Sequence, residues 1–590
     1  MPSRSSIASK RRFCLVLVKT THYCDDGYPI RWFRSLVPSN SLACVYGIAQ
    51  ACAERNVLGE DVEIEIHALD ESNTRIRPDR IARLIKSADA GMVMLIGVQS
   101  NQTPRALDIA RPLRALDIPV AIGGFHMSGV ISMIDGDDAA LREAQAMGLS
   151  VFAGEAEERL DEVLRDAYAG RLKPLYNYMK DLPALDGAPF PILERERVKR
   201  TLGAATSFDA GRGCPYQCSF CTIINVQGRK SRRRTPDDIE KIVRANAAQG
   251  IHQYFITDDN FARNKDWELI LDRLIHLREV EKIKLDMIIQ VDTMCHKLPN
   301  FIDKCRRAGI RKAYVGMENI NPANLMAAKK KQNKITEYRK MFLEWQKAGI
   351  LVYAGYISGF PHDTADSILH DLEVIKRELP IDVLEVHCLT PLPGSEDHQK
   401  MFRAGAWMDP DLNKYDLHHI TCEHPRMSMQ EWAYAYRESW KRYYSLEHCE
   451  TVMRRAATFG SFSDVLITLT WFRASFELED CHPVESGILR LKSRRDRRPS
   501  LPLEPIWRFY PKYVAELARK TFGWAWMYLR LRRIYLRIKY DPKRYEYSDL
   551  AISPVTDDEV ATHEMFHTDA ARAFVDSERR LEQIRRGVAA

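Results

Sequence analysis

In the stretch GRGCPYQCSFCTIIN, residues 211–225, cysteines stand at positions 214, 218 and 221. Thiolates this close can hold a metal centre, because one short loop can turn all of them toward a common point. A zinc site would want a fourth cysteine or histidine nearby, but the loop holds no histidine and the next cysteine is Cys295. Three ligands suit a [4Fe–4S] cluster with one iron left open for an outside ligand. A structural zinc knuckle is the competing use of Cys214, Cys218 and Cys221.

Such a loop needs a rigid frame. From Ala205 to about Leu417 the runs SFDAGRG, QYFITDD, KLDMIIQVD, KAYVGMEN, LVYAGYISG and VLEVHCLTP alternate with helix-like stretches. About six such βα units predict an incomplete parallel barrel with its chemistry at the carboxyl ends of the strands. Nearer the N-terminus FCLVLVK, VEIEIHAL, GMVMLIGV, IPVAIGG and LSVFAG repeat the rhythm and predict a doubly wound parallel sheet. The loops Thr20–Asp26, Gln99–Thr103 and Gly123–His126 would share one crevice at its carboxyl edge. Gly123-Gly124 lets a ligand approach the backbone closely, and a tight strand-to-loop turn explains it equally well.

The connector YMKDLPALDGAPFPILERERV has no helical periodicity and marks a boundary. The expected segments are residues 10–175, 176–204, 205–420 and 421–590, the last mainly helical. Within it the run RLKSRRDRRPSLPLEP reads as an exposed linker, since most charge runs are solvated.

Composition sets wide bounds. The chain has 590 residues, 45% hydrophobic and 28% charged, with a net charge of +7. That charge is too mild and dispersed to favour a nucleic-acid or anionic-lipid partner over a solvated surface, and no nucleic-acid partner is expected. The apolar run Phe13–Val18 is too short for a signal peptide and reads as a strand. No window approaches the apolar length of a spanning helix, so a cytoplasmic location is expected. Thirteen cysteines, an odd number, do not suggest a disulfide framework there.

The CX3CX2C spacing, with Phe220 before the last cysteine, closely resembles the signature of the radical S-adenosylmethionine (SAM) superfamily. The resemblance implies that the open iron chelates the amino and carboxylate groups of SAM. An electron, from a donor such as a flavodoxin or ferredoxin, then cleaves the sulfonium to a 5′-deoxyadenosyl radical. Gly355-x-Ile357-x-Gly359 is similar to the family's GXIXG element beside adenine, and Glu318 in GMEN stands where the family places a ribose contact. The usual Gly-Gly-Glu element is absent. TDDNF takes its place, so the resemblance gives Asp258 or Asp259 the SAM amino group, although one of them could merely cap the next helix. Arg233 or Arg234 could neutralise an anion, while Thr235, Pro236 and Asp238 read as a helix start.

The N-terminal sheet resembles the flavodoxin-like cobalamin-binding domain that precedes the barrel in one radical SAM subgroup, so the two likenesses together cover about residues 10 to 420. They imply a cobalamin cofactor cradled by the loops around Ser100 and Gly123-Gly124. Many such domains carry D-x-H-x-x-G after the first strand; TTHYCD keeps only His22, which is either the lower cobalt ligand or a loop histidine. The fold class expected is therefore α/β: a flavodoxin-like sheet, a partial (β/α)6 radical SAM barrel and a helical C-terminal region.

The subgroup implies a methylase that takes hydrogen from an unactivated carbon of a lipid or other small molecule and adds a methyl group from methylcobalamin. Radical oxidation or cyclisation is the alternative. Methylthiotransfer needs a further set of three cysteines, and Cys14, Cys24, Cys44 and Cys52 lack that spacing. A cobalamin or Fe–S sensor is the reading outside catalysis. Two other signals stand apart. His563-Glu564-x-x-His567 has zincin spacing but few residues after it to build a cleft. RKTFGWAWMYLRLRRIYLRIKY could lie on an anionic membrane as a peripheral contact, bind RNA, or pack on the barrel.

Overall fold

The computed structural model describes residues 10–556 and 558–585. In the first sheet β1 (Arg11–Lys19), β2 (Val62–Asp70), β3 (Ala90–Leu95), β4 (Val120–Gly123), β5 (Ser150–Ala153) and β6 (Leu175–Asn177) lie in the order β2-β1-β3-β4-β5-β6. Every pairing is parallel. Phe13–Val18 is buried throughout, as a central strand covered on both faces requires. The strand β6 falls at the start of the connector, where three residues are too few to show a period-2 pattern.

The second sheet holds β7 (Ala205–Phe208), β8 (Gln253–Ile256), β9 (Asp286–Val291), β10 (Ile310–Glu318), β11 (Leu351–Ser358) and β12 (Val383–Cys388), in strict chain order. All these pairings are parallel. Among the described residues β7 and β12 do not pair with each other, so the barrel is open along that seam. The helix after the cysteine loop, Pro236–Ala248, begins on a full capping box between Thr235 and Asp238.

The C-terminal region contains the helices Met429–Tyr443, Leu446–Phe459, Phe462–Ala474 and Ile506–Lys539. The hydroxyls of Tyr443 and Tyr444 donate to the carbonyls of Ile381 and Leu384, tying this region to the last barrel strand. The segment expected as an exposed linker is instead docked. Gly487–Arg490 pairs antiparallel with Trp32–Ser35, Arg31 and Arg75 hold Asp496, and Arg498 pairs with Asp411. Its Arg498 finds a carboxylate on a barrel loop and its Asp496 finds two arginines of the N-terminal segment, which charge patterning in one segment cannot reveal.

Candidate functional site

The cysteine loop leaves the carboxyl end of β7 under tight restraint. Asp258, fully buried after β8, accepts the backbone N–H groups of Ala210 (2.6 Å) and Gly211 (2.8 Å) and the Asn264 amide (3.2 Å). Asp259 accepts the N–H of Gly213 at 2.9 Å. Burial pushes both carboxyls up to about 7. Beyond this anchor, burial raises the thiols of Cys214 to about 11 and Cys221 to about 12, with the charge of Cys218 adding to both. The thiols of Cys214 and Cys221 therefore stay protonated at neutral pH unless a cation joins them, and iron is such a cation.

Their spread discriminates between centres. Ligands of a single zinc ion sit about 3.8 Å apart, given Zn–S bonds of about 2.3 Å. Among the described residues these three sulfurs do not converge within 4.8 Å of one another. Three thiols in one short loop that holds no histidine are a donor set that fits a [4Fe–4S] cluster. The Gln332 amide approaches Cys218 Sγ at 3.6 Å, a hydrogen bond to a ligand sulfur of the kind that tunes a cluster's potential.

Facing the loop is an apolar patch in which Phe220 and Leu389 pack on Ala328, Ile357 and Phe360. The Phe220 and Phe360 rings lie 6.1 Å apart. Gly359 has a φ of +100°, and a Cβ there would meet the Trp432 ring at 1.9 Å, so only glycine allows the C-terminal region to close on β11. At Gly355 a Cβ would meet the Tyr314 hydroxyl at 2.2 Å. Glu318 adopts a left-handed φ of 65° next to an irregularity in the β10–β11 register. It pairs with Lys330, whose ammonium stands 5.8 Å from the Phe220 ring. Burial disfavours that ammonium, but Glu318 and Cys218 outweigh it and raise its pKa.

Across from this loop the first sheet carries a cavity of ≈ 150 Å³ between the helix Asn40–Glu54 and the carboxyl ends of β3, β4 and β5. Gly97, Gly123, Gly124 and Gly154 form its backbone rim, and Ile48 and Phe152 are among its apolar walls. A Cβ at Gly124 would fall 2.1 Å from Val98 N, so the two strand-end loops touch directly. This slot fits a flat heteroaromatic group such as the nucleotide base of cobalamin. Ser100 does not line it; its hydroxyl meets His126 Nδ1 at 3.2 Å, behind the rim. His22 is buried elsewhere, with Asn101 at 3.4 Å, Glu485 at 3.6 Å and Asp416 at 3.7 Å, and burial lowers it to about 4.

The two sites are bolted together. Arg212, two residues before Cys214, is buried and pairs with Glu155 (2.7 Å), Glu157 (2.7 Å) and Asp209 (3.1 Å). Glu155 and Glu157 belong to the loop after β5 that lines the cavity. A Cβ on Gly129 would meet the Pro393 carbonyl at 2.5 Å, so the helix after Gly124 also presses on the barrel. Arg212, Glu155, Glu157, Lys330 and Gln332 escape a reading of the sequence, because their partners lie far away along the chain. A buried charge beside an expected cofactor loop, as in GRGC, is the one signal that could have found Arg212.

The remaining candidates lie apart. Arg233 pairs with Asp266, and the fully buried Arg234 donates to the carbonyls of Asp209 and Ala188. Glu564 pairs with Arg377, His567 meets the Ala561 carbonyl, and Glu564–Phe566 is a short 3-10 turn that does not align the two histidines on a helix face.

A parallel open barrel whose first strand ends in a three-cysteine loop is the frame that the sequence resemblance implies. Residues 210–375 match the family model of the Radical SAM superfamily. The chain is 26% identical over 329 residues to the hopanoid C-2 methylase of Rhodopseudomonas palustris, covering 55% of this chain and 59% of that protein. It is 24% identical over 351 residues to the bacteriochlorophyllide d C-8(2)-methyltransferase of Chlorobaculum tepidum, covering 56% and 73%. Among solved structures, the radical SAM methyltransferase TsrM of Kitasatospora setae, with cobalamin and a [4Fe–4S] cluster bound, superposes with a TM-score of 0.51 at 16% identity. That match covers 67% of this chain and 78% of TsrM. The cobalamin-dependent radical enzyme OxsB with aqua-cobalamin bound gives 0.50 at 12% identity over 96% of this chain and 84% of OxsB. These structural likenesses concern the fold.

Proposed function

We propose that this chain is a cobalamin-dependent radical SAM enzyme that methylates an unactivated carbon of a lipid or other small molecule. The observation that carries the proposal is the facing of the cysteine loop and the glycine-rimmed cavity, held together by Arg212 between Asp209 and Glu155 and Glu157. When bound, cluster and SAM supply a hydrogen-abstracting radical, and methylcobalamin supplies the methyl group.

The chain's own residues bind and orient. Cys214, Cys218 and Cys221 hold the cluster, and Asp259, whose charge reaches Cys214 and Cys221, accepts the SAM amino group. Asp258 holds the loop backbone that sets this geometry. Lys330 supplies positive charge for the SAM carboxylate, Glu318 bonds the ribose, and the patch of Phe220 and Ile357 flanks adenine between Gly355 and Gly359. Gly123 and Gly124 admit the cobalamin tail, with Ser100 steadying the loop behind them. A flavodoxin or ferredoxin is the proposed electron donor.

Anaerobic turnover of cluster-reconstituted protein with SAM, reductant, cobalamin and a lipid extract tests this. Both 5′-deoxyadenosine and S-adenosylhomocysteine should form, the second only with cobalamin. Deoxyadenosine alone would replace methyl transfer by radical oxidation or cyclisation, and neither product would overturn the reading.

The site of action is proposed to be the cytoplasmic surface of a membrane. Among the described residues no helix is long and apolar enough to cross one. The helix Ile506–Lys539 instead exposes an apolar stripe while Phe509, Met527, Leu531 and Ile538 face the protein. Trp507, Val514, Phe522 and Leu529 fall at helical spacing on the outer side, with Trp507 77% and Phe522 72% exposed. The exposed Arg508, Arg519, Arg530 and Arg533 run along one flank, where anionic headgroups would meet them. Trp507→Ser with Phe522→Ser should weaken co-sedimentation with phosphatidylglycerol vesicles by about tenfold, from the loss of roughly 1–2 kcal/mol of buried area. Equal sedimentation of variant and parent would remove the membrane from the proposal.

A further inference from the structure

Inside the barrel is a second group of potential metal ligands, unrelated to the cysteines. Successive side chains of a strand point to opposite faces. On β11 Gly355 and Ile357 face inward, as the contact of Ile357 with Phe220 requires. On β12 their register partners are Glu385 and His387, which therefore share that face. His482 comes from the C-terminal region, beyond the open seam, and stacks on His387 with ring centroids 4.7 Å apart and planes 21° from parallel.

One ligand atom from each of Glu385, His387 and His482 can be chosen so that all lie within 4.8 Å of one another. No other group of this kind converges as closely among the described residues. The protein itself does little to satisfy them. Glu385 is 6% exposed and His482 2%, and the nearest oppositely disposed pair, Glu385 Oε2 to His387 Nε2, is 3.9 Å apart, too far for a hydrogen bond. Nδ1 of His387 and Nε2 of His482 are buried without a partner. Buried polar groups are normally paired, so three under-satisfied ones facing each other point to a missing centre.

We propose that Glu385, His387 and His482 bind one divalent transition-metal ion of the zinc or ferrous class. A carboxylate with two imidazoles is a donor set such ions favour. Three protein ligands leave at least one coordination position open, and it faces the interior beside Gly355 and Tyr314, where an oxygen or nitrogen of the substrate would bind. The ion would then fix the substrate's register in the barrel. It also explains why a residue of the C-terminal region enters the barrel at its seam.

Zinc tests the site because it can be counted apart from the cluster's iron. Holoprotein with cluster and cobalamin, equilibrated with zinc and freed of excess by dialysis, should retain about one equivalent more than His482→Gln or the double variant Glu385→Gln, His387→Ala. Cluster absorbance and iron content serve as the check that each variant is folded. Zinc-edge X-ray absorption of the parent should show nitrogen and oxygen neighbours only. Equal zinc in parent and correctly folded variants would overturn the site, as would a sulfur-containing shell. In either event the proposed methylase reading is untouched, because no turnover enters the measurement.

Discussion

Cys218→Ala is expected to lower 5′-deoxyadenosine formation at least about a thousandfold while leaving cobalamin affinity within about twofold. The sulfur is 8% exposed at residue level and lies at the centre of the loop, with Cys214 and Cys221 on either side and Gln332 at 3.6 Å. Removing it leaves too few thiolates to hold a cluster with one open iron. The glycine-rimmed cavity proposed for cobalamin is lined by Arg212, Val226 and Gln227 among others but by none of the three cysteines, and should fill normally. Iron content, the absorbance of the cluster and single-turnover deoxyadenosine yield read the first half; cobalamin titration reads the second. A variant that still cleaves SAM at the parent rate would exclude the cysteine loop from the chemistry.

Arg212→Met should separate the two cofactor segments energetically. Taking away one partner of a buried ionic network leaves the others charged and unpaired, a cost of about 3–5 kcal/mol. Here Glu157 loses its cation outright, while Glu155 keeps Arg232 and Asp209 keeps Arg234; all three carboxylates are buried. Burial works against ionising Asp209, but Arg212 and Arg234 outweigh it and hold its carboxyl at about 2. Since that value lies below the ordinary carboxylate range, its stabilisation is complete at neutral pH and is lost only as pH falls toward 2. In the variant the sign reverses: orphaned buried carboxylates take up protons in the folded state, so stability should recover on acidification. The first urea transition should move to lower denaturant at pH 7 and move back partly near pH 5.5. A midpoint unchanged at both values would show that the network does not join the segments.

Much of this protein could be read before any coordinates. The strands of both sheets announce themselves because a strand buried on both faces must be continuously apolar, as in FCLVLV and MVML. The cysteine loop is legible for a similar reason. Its ligands lie within a single turn of chain, so spacing alone limits the centre they can hold. The capping box at Thr235 and Asp238 is likewise local. Phe220 and Ile357 were each suspected from their own short motifs, but that they meet in one patch is a tertiary fact.

The tertiary structure alone assigned the charges. GRGC shows an arginine; nothing nearby says that it is held by Glu155 and Glu157, more than fifty residues away. The basic run near residue 494 looked solvated until Asp496 and Arg498 found partners on loops of the other segments. Asp258 and Asp259 differ by one position, yet one accepts two backbone N–H groups of the loop and the other only that of Gly213. Glu385, His387 and His482 are three unremarkable residues in sequence. Sequence by itself determined the elements and the three-cysteine loop, because periodicity and short-range ligand spacing act along the chain; only the tertiary structure decided which buried charges and imidazoles meet, because electrostatic pairing acts through space between segments that the chain order keeps apart.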